Sequence, residues 1–399
     1  MAGGSIKLAV AVAFTAVLYQ FWAKHFVFAI LGVGRIVQPI EDFPFICRRI
    51  VSEQLEGCED VWLDEEGRVL YAACSGSVAR SQWNQGMSKF NISGRRPQGS
   101  ELIAIYIDEP RHDGFRSQKL APEGYSGAAG DGTLDLIGFD VQKISSSTLR
   151  FWLINQRPPV DTGGKYLDAT RVGDNVTVDV FDYVRDSKVI KHVKTVSDKH
   201  IYSGNGLAVV GDDEFVISND HSGKIGIRKE LDLIIGGGGI THCNSISCRF
   251  STASNLKFTN GIIRGADDLI YAPFAAEAFI GVYRLDSMGL LSEIDRIDIG
   301  MPVDNLSVDA NGDIWAAGLT KLLEIMAAVA DPLNEVATST VWRIRARRGA
   351  SGGYEVTKAL EDGEKKILSM VSTAVHDVRT GRLFLGSVAM PFLMVCDPK

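Results

Sequence analysis

The chain has 399 residues, of which 45% are hydrophobic and 23% charged, with 41 glycines and a formal net charge of -7. This composition excludes a disordered chain, argues against a nucleic-acid surface and suits a hard cation such as calcium. The length is great for one core, but propellers and barrels reach it as a single unit.

The first element is apolar. Leu8 to Ala23 form a hydrophobic run with Lys7 before it and Lys24 after it. It is shorter than the roughly 20 residues of a full span and suits the core of a signal sequence. No small-x-small cleavage site comes after it. The expectation is an uncleaved signal-anchor within residues 1–37, with the rest of the chain luminal or extracellular; a cleaved signal and a secreted protein are the alternative. Two N-x-S/T triplets, at Asn91 and Asn175, are glycosylation candidates in that setting.

The chain carries six cysteines: Cys47, Cys58, Cys74, Cys243, Cys248 and Cys396. An even number in a chain with a secretory start permits disulfides, and no CxxC pair points to zinc or redox chemistry. Cys47 and Cys396 lie near the two ends of residues 45–399. A bond between them would clasp a closed architecture; six buried thiols are the other reading.

Beyond residue 45 one phrase recurs: a polar residue, an apolar alternation, a turn rich in Gly, Asp and Asn, and a compact apolar strand. Clear copies are EDVWLDEEGRVLYAA (59–73), NGLAVVGDDEFVISND (205–220), NGIIRGADDLIYAPF (260–274) and DNLSVDANGDIWAAG (304–318). Looser copies are IGFDVQKISSSTLRFWLIN (137–155) and VHDVRTGRLFLGS (375–387). Each reads as a β-hairpin. Six repeats with about four strands each predict an all-β, six-bladed β-propeller over 45–399; a large sandwich is the alternative. Between the phrases, Pro110 to Gly132 and Arg157 to Gly173 read as surface excursions. Gly236 to Gly239 read as a hairpin tip beside a Cys243–Cys248 bond, and Ala327 to Val336 as a short helix.

Each clear phrase opens on an oxygen-bearing side chain: Glu59 and Asp60, Asn205, Asn260, Asp304 and Asn305. In a propeller the equivalent starts of inner strands converge on the axis. Mixed carboxylates and amides are what calcium takes, whereas zinc would call for His or Cys. A Ser-based hydrolase has no GxSxG elbow here.

These four stretches, with NDH at 219–221, resemble the motifs of the serum paraoxonase/arylesterase family, and more distantly the gluconolactonase and strictosidine-synthase-like propellers. The resemblance runs from about Cys47 to Cys396. It implies a calcium-dependent hydrolase of lactones or aryl esters, with Glu59, Asn205, Asn260, Asp304 and Asn305 as ligands of a catalytic calcium. It implies Asp60 as a ligand of a second, structural calcium, a Cys47–Cys396 disulfide and a retained hydrophobic N-terminus held in a membrane. The chain departs from the family where an Asp should stand after Asn205 and Gly206 stands instead. It departs again where Ile137, Gln156 and Leu319 fall near histidine positions. His221 is the remaining titratable candidate, Glu59 a candidate base, and Asn260 a candidate oxyanion donor. A non-catalytic binding propeller and a strictosidine-synthase-like activity are the competing readings.

Overall fold

The computed structural model describes residues 7, 10, 12, 16, 19–252, 255–347 and 352–399. Much of the expected anchor, Leu8 to Ala23, lies outside the described residues. Among the described residues no helix is long and apolar enough to cross a membrane. Two π-helical stretches, Tyr19–Ala23 and His25–Ile30, lead into the rest of the chain.

From Phe45 onward the chain forms an all-β, propeller-like fold. Among the described residues four sheets have four strands each. One joins Phe45–Ile50 to Leu393–Pro398, Arg382–Ser387 and Val371–Asp377; the others run through residues 204–250, 263–298 and 303–362. A further, eight-stranded sheet is two four-strand meanders, 58–123 and 136–196. They are stitched by a parallel pairing of Val189–Val196 with Gly114–Glu123. The innermost strands pack side by side in chain order, and Val371–Asp377 packs against Cys58–Asp64. The first and last strands share one sheet, where Cys47 faces Cys396.

All six cysteines are paired, as Cys47–Cys396, Cys58–Cys74 and Cys243–Cys248. In each pair the two residues are directly opposed across an antiparallel ladder.

One detail of the inner hairpins positions everything at the axis. Along Cys58–Asp64 the pairing slips, so that Cys58 faces Cys74 but Asp60 faces Ala73. The same slip recurs between Leu136 and Phe139, Gly204 and Leu207, Val303 and Leu306, and Val371 and Thr373. At Asn260–Gly261 it is bracketed by the Thr259–Phe274 bridge and the Ile263–Tyr271 pair. Each slip is a β-bulge, which bends the strand and re-aims its side chains. Two consecutive residues thus stand at the bulge of every inner hairpin. The first are Glu59, Ile137, Asn205, Asn260, Asp304 and Ser372. The second are Asp60, Gly138, Gly206, Gly261, Asn305 and Thr373.

Three expectations are corrected. Pro110 to Gly132 is not one long excursion, because Gly114–Glu123 is a strand paired to Glu101–Arg111. It reads as a loop because it lies far from the axis, where polar side chains are tolerated; Arg116 pairs Glu109 and Lys119 pairs Glu101, each at 2.5 Å. The helix expected at Ala327 to Val336 is Leu322–Ala330; it stops before Pro332, whose ring disfavours helical backbone in the residue before it. Gly236 to Gly239 are not a hairpin tip. Gly236, at φ +70°, ends the helical turn Asp232–Ile235 in the left-handed conformation glycine favours, and Gly239 opens a strand opposite Asn219.

Candidate functional site

The bulges sort the predicted ligands into two layers. Glu59, Asn205, Asn260 and Asp304, all first bulge residues, line one cavity of about 240 Å³. Asp60 and Asn305, both second residues, line a separate recess of about 110 Å³ with Gly206, Gly261, Asp140 and His376. The six side chains therefore do not meet at one point. Two carboxylates and two amides share one cavity, and Asn305 is turned away, its amide donating to Thr373 Oγ1 at 3.1 Å.

Neither carboxylate of the cavity floor is comfortable. Burial pushes Glu59 up to about 7; the Arg80 guanidinium partly offsets this, while Asp60 and Asp220 add to it. Asp304 is held well above the carboxylate range by burial and then by the charge of Glu59, against a hydrogen bond from Asn260. Arg80 Nη2 stands 3.2 Å from Glu59 Oε2, but that oxygen has no hydrogen bond, and neither does Asn260 Oδ1. Buried acceptors left without donors are costly. Here two of them share one cavity with two raised carboxylates, a concentration of negative potential that an oxygen-seeking cation would neutralise. Among the described residues no three His, Cys, Asp or Glu side chains gather as a metal cluster; the donor set is half amide. These four residues fit calcium and offer zinc neither sulfur nor nitrogen.

The second layer is more fully partnered, although burial raises both Asp60, to about 7, and Asp140, to about 6. Asp60 already accepts from Phe139 N and Val61 N, both at 3.0 Å, and from Thr373 Oγ1 at 3.3 Å. A Cβ on Gly206 would stand 2.6 Å from Gly261 Cα, and one on Gly261 would stand 2.4 Å from Asn305 Oδ1. The glycines let neighbouring strands close on each other, leaving no room for the acidic side chain the family pattern puts at 206.

His221 lines the same cavity as Glu59. Its Nδ1 is 2.7 Å from Asp220 Oδ1, and its ring meets Phe258 edge-on at 4.9 Å. Asp220 is buried, which raises it, but the charge and hydrogen bond of His221 and a hydrogen bond from Ser203 outweigh that and leave it below its ordinary value. Ile137 and Leu319 also line the cavity, as apolar wall. Gln156 stays behind it, buried, with its amide 3.4 Å from Gly204 O. Of the sequons, Asn91 is exposed, while Thr177 of the second is fully buried on Asp179.

Four features of the site are invisible to motif reading. Arg80 is buried and also donates to Ser75 Oγ at 2.8 Å; a lone arginine among small residues was its signal. Lys229 reaches from another segment to Ser88 Oγ at 2.9 Å and to Gln85 O, pinning the loop 84–88 at the cavity rim. Leu322–Ala330 supplies apolar wall, and Ile30 reaches the cavity from the N-terminal segment.

The model of the arylesterase family matches residues 168–396, more than half of the sequence. The chain belongs to the arylesterase family. Curated relatives include serum paraoxonase/arylesterase 1 of Rattus norvegicus, 27% identical over 143 residues, which is 35% of this chain and 40% of that protein. Serum paraoxonase/arylesterase 2 of Gallus gallus is 25% identical over 218 residues, 53% of this chain and 58% of that one. The matches to this arylesterase-family chain thus span about half the length of those relatives. Among solved structures, a luciferin-regenerating enzyme is 10% identical with a TM-score of 0.49 over 89% of this chain and 95% of its own. A calcium-binding regucalcin of Agrobacterium tumefaciens is 14% identical with a TM-score of 0.46, over 89% and 94%.

Proposed function

We propose that the chain is a calcium-dependent hydrolase of lactones and aryl esters, built as six blades if the eight-stranded sheet is counted as two. One observation carries this reading: two raised carboxylates and two amides, among them two acceptor oxygens without a hydrogen bond, share a cavity with an Asp220–His221 pair and an apolar wall. Glu59, Asn205, Asn260 and Asp304 would hold a single calcium ion. When bound, the ion supplies Lewis-acidic charge for the oxygen on which negative charge develops.

The chain's own groups do the rest. Asp220, kept ionised, takes the Nδ1 proton of His221 in a hydrogen bond and fixes the ring, which leaves Nε2 to accept the proton of an attacking water. That proton then returns to the leaving alkoxide. Asn260 is also a candidate oxyanion donor, but its amide is hydrogen-bonded to Asp304 and its Oδ1 has no hydrogen bond, so it serves better as an acceptor for the cation. Ile137, Leu319 and the helix Leu322–Ala330 exclude water from the substrate's apolar part. The reading extends to a signal-anchor in residues 1–37 that leaves the propeller on the luminal or extracellular side.

The test is hydrolysis of γ- and δ-lactones, phenyl acetate and an aryl phosphotriester by the purified chain, with calcium and after chelation. Turnover that disappears with chelator, returns with calcium and is lost in Asp304→Ala supports the reading. Calcium binding without turnover of any substrate refutes it in favour of a binding propeller. Carbonate-resistant membrane association of the expressed full chain checks the anchor.

A further inference from the structure

We infer that Ile30, delivered by the N-terminal segment, sets the length of the acyl or alkyl chain that the cavity accepts; this rests on the hydrolase reading above. Ile30 is 1% exposed and lines the same cavity as Glu59 and Asp304. It belongs to none of the inner hairpins and is brought there by a separate device. Gly32, at φ +70°, approaches so closely that a Cβ would lie 2.5 Å from Thr320 O. Arg35 then ties the segment down, donating to Ala29 O at 2.7 Å, to Gly300 O at 2.8 Å and to Thr320 O. Downstream, Gln38 N donates to Glu361 Oε2 at 2.6 Å. The strap is therefore anchored on the body of the fold at Gly300, Thr320 and Glu361. The apolar lining of this cavity includes Ile30, Leu319, Leu322, Ile325 and Val329. These side chains offer nothing to a polar group, so the part of a substrate remote from the reacting carbonyl must be hydrocarbon on that side, and Ile30 is the piece of wall held only by the strap.

Shortening Ile30 opens room for about two methylenes, each worth about fourfold in binding. The experiment uses the full chain with Ile30→Ala, Ile30→Val and Ile30→Phe on p-nitrophenyl esters from butyrate to decanoate. The ratio of kcat/KM for decanoate over butyrate is expected to rise about fifteenfold in Ile30→Ala, to rise less in Ile30→Val and to fall in Ile30→Phe. Arg35→Ala, which frees the strap, should move the ratio in the direction of Ile30→Ala. A ratio unchanged within about twofold in all four variants overturns the assignment. Calorimetry with 1-butanol to 1-decanol reads the cavity without chemistry. If no ester is turned over but the preferred alkanol lengthens in Ile30→Ala, the hydrolase reading falls and the assignment stands. If esters are turned over and neither profile moves, the assignment falls alone.

Discussion

Reducing or removing the Cys47–Cys396 bridge should cost more stability than removing either of the other two, and the reason is chain length. The bridge closes 349 residues, against 16 for Cys58–Cys74 and 5 for Cys243–Cys248. If a cross-link acts by restricting the unfolded chain, the loop-entropy relation gives about 6 kcal/mol for the first, about 3 for the second and about 2 for the third. The folded state gives little reason for a different order, because all three bridges join directly opposed residues on paired strands. The first also has the ladder of Phe45–Ile50 with Leu393–Pro398 behind it, so its loss should leave the sheet paired. The assay is equilibrium urea unfolding of the Cys47→Ala/Cys396→Ala double variant and of the two corresponding doubles, each against the parent chain. A loss below about 1 kcal/mol for the long bridge, or a reversed order of the three, would refute the entropic account. It would mean that the unfolded chain keeps its ends together without the bond.

The pH dependence of stability carries a sign. Glu59 and Asp60 are raised to about 7 in the folded chain, so between the ordinary carboxylate range and pH 7 the folded state binds more protons than the unfolded. Stability of the metal-free chain should fall as pH rises through that window, and added calcium should reduce the fall by the share that Glu59 contributes; a melting temperature flat from about pH 4.5 to 7.5 in chelator would contradict this. Arg80→Met strips the charge beside Glu59 and should destabilise the metal-free chain by about 3 kcal/mol, as breaking a buried pair does; urea unfolding that recovers on adding calcium is the expected outcome. Gly206→Asp should not create a second calcium site: the Cβ clash with Gly261 predicts a loss of stability with one calcium per chain by equilibrium dialysis, and two per chain would overturn the closed second layer.

The hairpin phrase was legible because a period-2 alternation broken by a Gly/Asp/Asn turn has one structural meaning, and four copies announced themselves through their leading polar residue. That was enough to find Glu59, Asn205, Asn260 and Asp304. It was not enough to see that Asp60 and Asn305 serve another layer. A β-bulge sets two residues against one, and nothing in a Glu-Asp or Asp-Asn dipeptide says which of the two will turn into the cavity. The loose copies hide their bulge residues in other ways: Ile137-Gly138 bears no side-chain oxygen, and Ser372-Thr373 precede the 375–387 phrase. Arg80, Lys229 and Ile30 reach the site by long-range packing that no local pattern encodes. The strand Gly114–Glu123 escapes pattern reading because most of its side chains stay partly exposed, which erases the hydrophobic alternation by which a strand is recognised.

The repeated bulge has an evolutionary consequence. Because every inner hairpin offers the same two seats to the axis, a change of side chain at one seat alters what the channel holds without altering how any strand is paired. Where glycine stands at a seat, as at 206, the neighbouring backbone approaches and leaves no void. A ring built this way can change its donor set one seat at a time while its strand pairing is kept, so its chemistry can drift faster than its architecture.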